Sequence, residues 1–243
     1  MSFAPATITA VRQETPGART LTLDAENWPG HKAGQHVDVR LTAENGYTAV
    51  RSYSIASSAA SGVLKITVDR LVDGEVSPYL VDVAEIGDRV EVRGPAGGWF
   101  VWRGTSDEPV QLIGGGSGVV PLMSMIRSHG DAASTAPFRL LYSVRSPTSA
   151  LFYDELAQRT TSDRSLTIDF AFSRATPQGW PSTPARLDRA AVEASVLTPD
   201  TGATIFVCGS TPFVEAIANW LVEAGHPPDK IRTERFGGIG VSP

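Results

Sequence analysis

Ile113-Gly-Gly-Gly-Ser-Gly-Val-Val-Pro-Leu-Met-Ser-Met-Ile-Arg127 continues an apolar run, "PVQLI", into a helix-length segment through four glycines. An apolar strand that ends in glycine and runs on as a helix is the unit from which parallel sheets are built. Such a turn presents backbone N–H groups at the positive end of a helix dipole, which suits a pyrophosphate, and glycine lets a ligand approach the main chain. The dinucleotide fingerprint G-x-G-x-x-G, begun at Gly116, needs its third glycine at position 121, where this chain carries Pro121. Proline is tolerated there because an N–H in the first helical turn has no intrahelical acceptor. From the loop alone, a nucleotide site of another pattern and a plain strand-to-helix turn both stand.

Working outward, strands are expected downstream at "PFRLLYSV", "LTIDFAFS", "ATIFVCG" and "KIRTERF", with helices over 118–129, 149–160, 187–195 and 211–224. This alternation predicts a parallel sheet covered on both faces. Upstream the rhythm differs. "ATITAVRQE", "ARTLTLDAE", "QHVDVRLTA", "VRSYSIAS", "GVLKITVDR" and "DRVEVRGPA" alternate with period two between Gly, Pro, Asn or Asp breaks, the pattern of an antiparallel barrel. One short helix is expected inside it, at Ser77-Pro-Tyr-Leu-Val-Asp82, with Ser77 as N-cap and proline in the first turn. The fold expected is therefore two-domain: an antiparallel β-barrel over 1–104, then an α/β domain with a parallel sheet over 105–243.

Composition narrows the function classes. A net charge of −5 and the lack of any basic run argue against a nucleic-acid groove. No stretch of about 18 apolar residues suggests a membrane span, and the opening residues lack a signal-peptide pattern, so a cytoplasmic protein is expected. The single cysteine, Cys208, and four scattered histidines offer no metal-ligand spacing, so no metal is expected.

Two further stretches carry chemistry. Arg51-Ser-Tyr-Ser54 lies on a predicted strand, which places Arg51 and Tyr53 on one face and Ser52 and Ser54 on the other. An arginine can hold phosphate bidentately, a tyrosine offers a stacking face and a serine hydroxyl can bond a ring nitrogen, a set that suits a flavin nucleotide. Cys208-Gly-Ser-Thr-Pro-Phe213 puts Gly209 at a second strand end, so that two glycine-bearing ends of one sheet form a crevice. A lone cysteine is otherwise a small buried hydrophobe.

With these stretches in place the chain resembles the ferredoxin–NADP reductase superfamily over nearly its whole length. The motifs occur in the family order: Gly34-Gln35, "RSYS" at 51–54, "GEVSPYL" at 74–80, Gly87-Asp88, "GPAGGWF" at 94–100, "GGGSGVVP" at 114–121, "CGSTPF" at 208–213 and "ERFGG" at 234–238. The resemblance implies FAD rather than FMN in the first domain, with Arg51 on the pyrophosphate, Tyr53 stacked on the isoalloxazine and Ser54 near flavin N5. It also implies that Thr67, Val68 and Arg70 line the flavin edge, that Gly74, Val76 and Ser77 turn backbone amides toward the pyrophosphate, and that Phe236 shields the ring.

In the second domain the resemblance implies NADPH or NADH on Gly114, Gly115, Gly116 and Gly118, beside Gly209, Thr211, Pro212 and Phe213. Cys208 then lies near the nicotinamide as a positioning group. Ser173 and Arg174 match the pair that holds the 2′-phosphate in NADP-using relatives, with Arg145 assisting, which favours NADPH. Catalytic roles are thus implied for Tyr53, Ser54, Cys208 and Phe236. The implied activity is an NAD(P)H-dependent flavoprotein reductase that passes electrons to a separate carrier, a ferredoxin or an oxygenase component. The alternatives are a reductase of free flavin and a non-catalytic electron-transfer subunit. The chain departs from the family form P-x-G-x-F by one extra residue in "GPAGGWF", so Trp99 and Phe100 compete for the aromatic position.

Overall fold

The computed structural model describes residues 2–104 and 107–236. The first six strands are β1 (Ala4–Thr15), β2 (Ala18–Ala25), β3 (His36–Thr42), β4 (Thr48–Ser54), β5 (Leu64–Asp69) and β6 (Arg89–Ala96). They pair antiparallel in the order β4-β3-β6-β1-β2-β5, and a bridge between Ile55 and Ile66 brings the two outer strands together as a barrel. Alternation does the sorting: on β3, Val37 and Val39 are fully buried while Asp38 between them faces outward to Ser52 and Arg93.

The helix expected at Ser77 is a single π-type turn over Tyr79–Val83, and Ser77 does not cap it. The Ser77 hydroxyl instead accepts from the Leu71 amide at 3.1 Å and closes the 71–77 turn. What fixes the segment is burial, since Val76, Leu80 and Val81 join the barrel core. The aromatic position in "GPAGGWF" falls to Phe100, which is buried, whereas Trp99 is exposed. Gly34 explains its own presence: at φ 98° a Cβ would stand 2.1 Å from the Phe100 carbonyl oxygen.

The second sheet is parallel: β7 (Val110–Gly115), β8 (Phe138–Val144), β9 (Leu166–Phe172), β10 (Thr204–Ser210) and β11 (Ile231–Phe236), in the order β11-β10-β7-β8-β9. Its helices are α1 (Val119–Asp131), α2 (Tyr153–Ser162), α3 (Arg189–Ser195) and α4 (Thr211–Glu223). The chain steps from β7 to β8 and β9 on one side, then returns to place β10 and β11 on the other. The reversal falls between β7 and β10, the crevice where open parallel sheets bind ligands. Helix α2 starts four residues later than the spacing predicts, because Pro147–Ser149 form a separate 3₁₀ turn and Phe152 takes a left-handed conformation at φ 58°.

Packing divides the chain into two compact units that do not follow the sequence strictly. Among the described residues, those up to Arg103 form the first unit together with Met123–Ala132, and Gly104, those from 107 to Leu122 and those from Ala133 to Phe236 form the second. Helix α1 thus opens in the second unit and ends in the first. Within the first unit, Ser124 Oγ donates to the Ser57 carbonyl at 2.6 Å, Arg127 Nη1 donates to the Ala56 carbonyl at 2.7 Å, and Ser128 Oγ accepts from the Ala59 amide at 2.9 Å.

Candidate functional site

In the first unit the candidate residues gather around β4. Ser52 Oγ donates to Asp38 at 2.6 Å on the outer face, while Tyr53 packs against the barrel core, so the strand separates its polar and aromatic side chains as the pattern predicts. Burial pushes the Tyr53 phenol far above its ordinary pKa, against a smaller opposing effect of the Arg51 charge, so the ring is neutral in the physiological range. Ser54 ends the strand, half-buried. The Arg51 guanidinium is about half exposed, donates through Nη1 to the Val50 carbonyl at 2.7 Å and forms an ion pair through Nη2 with Glu75.

The residues on the neighbouring β5 and just after it are already committed. Thr67 is buried with its hydroxyl 2.7 Å from that of Thr20, Val68 lies wholly in the core, and Arg70 pairs with Asp82 at 2.8 Å. Contact from Thr67 or Val68 to a ligand on this face would come through the main chain. Gly74 packs so closely on Ser77 that a Cβ there would lie 2.7 Å from the Ser77 hydroxyl oxygen, and Val76 and Ser77 are both buried.

In the second unit the register of the parallel strands aligns the two glycine-bearing ends. Cys208 on β10 stands opposite Gly114 on β7 and, on its other side, opposite Glu234 on β11. Gly114 and Gly115 end β7, Gly116–Gly118 form a 3₁₀ turn, and α1 follows with Pro121 in its first turn. Gly118 is obligatory: a Cβ there would fall 2.1 Å from the Cys208 carbonyl oxygen. The Phe213 ring lies over Gly115 and Gly209, where Cβ atoms would come within 2.8 Å and 2.7 Å of it. Thr211 and Pro212 open α4 beside it.

Cys208 is fully buried, and burial first, then the Glu234 carboxylate, push its thiol well above the ordinary value. It is a protonated packing group and no nucleophile. At the ends of β8 and β9 the Arg174 amide donates to the Arg145 carbonyl at 2.9 Å, which brings these two exposed arginines together, with Ser173 adjacent on the Val144 carbonyl. Phe236 ends β11 opposite Ser210 and is 38% exposed. The glycines of "ERFGG" that follow it lie outside the described residues.

Comparison with known proteins matches the sequence to two domain families in order. Residues 8–101 match the oxidoreductase FAD-binding domain and residues 112–219 the oxidoreductase NAD-binding domain. The chain belongs to the ferredoxin–NADP reductase superfamily. The glycine betaine monooxygenase reductase subunit of Chromohalobacter salexigens is 32% identical over 85% of this chain and 56% of its own length. The ferredoxin reductase component of the 3-ketosteroid-9-alpha-monooxygenase of Mycolicibacterium smegmatis is 30% identical over 97% of this chain and 66% of its own. The chain thus spans between about half and two-thirds of these relatives. In fold it matches a Neisseria gonorrhoeae ferredoxin NADP+ reductase with bound FAD and NADP, at a TM-score of 0.82 and 20% identity, covering 97% of this chain and 99% of that one.

As a member of this superfamily the chain has FAD and a pyridine nucleotide as its cofactors. An arginine half open to solvent, a neutral tyrosine ring and a serine hydroxyl on one strand make a donor set that fits a flavin nucleotide. The glycine turn at the β7–β10 switch likewise fits a second pyrophosphate. Sequence reasoning missed Glu75 and Tyr47: the Tyr47 hydroxyl donates to Glu75 at 2.6 Å, so one carboxylate accepts from both Tyr47 and Arg51. Those two bonds, Tyr47 first, hold the Glu75 carboxyl below the usual carboxylate range. Glu75 lies inside the "GEVSPYL" motif, which was the available signal. Among the described residues no helix is long and apolar enough to cross a membrane.

Proposed function

We propose that this chain is the flavin- and nucleotide-binding part of an NAD(P)H-dependent reductase that delivers electrons to a separate protein, a ferredoxin or an oxygenase component. The observation that carries the proposal is the register at the sheet reversal, where Gly114 and Cys208 pair and two glycine strand ends share one crevice. The two relatives named above are reductase components of monooxygenases, which supports an oxygenase partner. We take 1–104 as the FAD domain and 105–243 as the NAD(P) domain, and the cytoplasm as the compartment.

FAD, when bound, accepts a hydride from the nicotinamide and can release the two electrons one at a time. The side chains bind and align. Arg51 neutralises the flavin pyrophosphate, Tyr53 offers its ring as a stacking surface, and Ser54 presents a hydroxyl toward N5. Main-chain groups of Thr67 to Arg70 and the turn from Gly74 to Ser77 complete the cradle. In the second unit the turn from Gly114 to Gly118 takes the pyrophosphate of the dinucleotide, with Gly209 and the first turn of α4 from Thr211 to Phe213 beside it. Cys208 would contribute a small, uncharged surface next to the nicotinamide, and Phe236 would be the shielding aromatic that the resemblance implies. Ser173 and Arg174, helped by Arg145, select the 2′-phosphate of NADPH. The chemistry asks for orientation and exclusion of water, not for an acid–base pair.

Anaerobic stopped-flow mixing with NADPH or NADH tests the proposal: the flavin absorbance should bleach, faster with NADPH. Absence of bleaching with both donors would leave only the non-catalytic electron-transfer reading. A second enzyme reading, in which flavin is an exchangeable substrate, is favoured by one observation, the carboxylate of Glu75 on the arginine that should hold the phosphate. Gel filtration separates the two, since a retained cofactor leaves the protein yellow and an exchanged one does not.

A further inference from the structure

Arg51 is the basic residue of β4, yet its Nη2 is bonded to Glu75 and its Nη1 to the Val50 carbonyl. Glu75 sits between Gly74 and Val76, in the same turn whose amides are assigned to the phosphate. Its carboxylate is steadied from the far side by the Tyr47 hydroxyl at 2.6 Å. It is half exposed, so it stands at the surface where a ligand must approach. Two anions are therefore directed to one guanidinium: the carboxylate already there and the pyrophosphate that the site is built to take.

We propose that Glu75 is a specificity-determining residue that opposes flavin phosphates at Arg51, so that it limits the retention of FMN and FAD without affecting the ring-binding part of the site. The inference rests on the flavin reading given above. A phosphate reaching Arg51 must share or displace the carboxylate, and a negative charge kept in the same turn repels it in either case. The isoalloxazine ring carries no charge and meets Tyr53 and Ser54, so it does not sense Glu75. Sharing is possible because a guanidinium has five N–H donors, which makes Glu75 a brake and not a block.

The test is a titration of the flavin-stripped full chain with riboflavin, FMN and FAD, read by flavin fluorescence, for the wild type, Glu75→Gln and Glu75→Lys. Glu75→Gln keeps an acceptor for Tyr47 and removes the charge. It should tighten FMN and FAD by about tenfold, the effect of about one unit charge at close range when water screens most of it, and leave riboflavin unchanged. Glu75→Lys should tighten the phosphorylated flavins further, and raised salt should shrink both gains. In an Arg51→Ala background the gain from Glu75→Gln should be largely lost, because the contest is for that side chain.

Weaker FMN and FAD binding in Glu75→Gln, or an equal change for all three flavins, would overturn the inference and leave Glu75 as a support of Arg51. If the wild-type chain binds none of the three flavins, the flavin reading itself fails and the inference with it. Unfolding midpoints of the variants should stay at the wild-type value, since an exposed pair adds little stability.

Discussion

Arg174 and Cys208 sit at ends of the same parallel sheet and make opposite demands on their surroundings. Arg174 is exposed and main-chain bonded to Arg145, so its guanidinium is available to a ligand. Arg174→Ala should raise the KM for NADPH by roughly 10- to 100-fold, as expected for the loss of a charge-assisted bond of about 1.5–3 kcal/mol, and barely change the KM for NADH. Equal losses for both donors would remove the case for NADPH. Cys208 is shut in, with its thiol held protonated by burial and by Glu234. At pH 8 it should react with a thiol reagent on the order of 100-fold more slowly in the native protein than in urea. A native rate equal to the unfolded one would show that the thiol is accessible. The places of the arginine and the cysteine at strand ends were legible from the alternation of apolar runs and helix-length segments. Glu75 was not, because it meets Arg51 across 24 residues of chain and no periodicity connects a turn to a strand that distant in sequence.

The strands were readable as elements because each has one wet and one dry face. On β2, Leu21 and Leu23 are buried while Thr22 and Asp24 between and beyond them are not, and the sequence alternates in step. The parallel strands were readable as short apolar runs ending in glycine. The helical turn after Ser77 was misread in its capping. A serine followed by proline looks like a helix start, but the hydroxyl is taken by Leu71, and Leu80 and Val81 hold the turn by burial. Helix α1 was read correctly as an element and incompletely as a contact surface. Its serines, which look like ordinary polar positions, bond to the 56–59 segment. Ser124→Ala should therefore lower stability by about 1–2 kcal/mol in urea unfolding, more than an exposed serine would. A loss near zero would mean that the Ser57 carbonyl is satisfied by its second donor candidate, His31, at 3.1 Å.

At the scale of the whole molecule, acid should weaken the fold in two stages. Burial lowers the pKa of His31 and His226 from 6.5, partly offset at His31 by its bond to the Ser57 carbonyl. As pH falls through about 6.5 the unfolded chain takes up these protons first, so stability declines until the lower native values are reached. The second stage belongs to Asp38, Glu75 and Glu91, whose carboxyls are lowered in the folded state. At Asp38 burial acts the other way and is outweighed by Ser52 and Arg93, at Glu75 Tyr47 leads, and at Glu91 Arg40 leads. Their contribution is present above about pH 4.5 and is lost as pH falls toward their native values. Urea unfolding from about pH 8 to about pH 2 checks both stages, and a flat profile between pH 7 and pH 5.5 would remove the histidines from the account.

Helix α1 begins with the glycine turn of the nucleotide sheet and ends on the Ala56 and Ser57 carbonyls of the barrel unit. For the gene, this means that no single crossover point separates the two binding functions cleanly. A hybrid that took its barrel from one relative and everything after residue 104 from another would bring in a foreign Ser124, Arg127 and Ser128 against a native 56–59 segment. Successful exchange requires a compatible helix, so the helix and that segment are inherited as one unit although they lie far apart in the sequence.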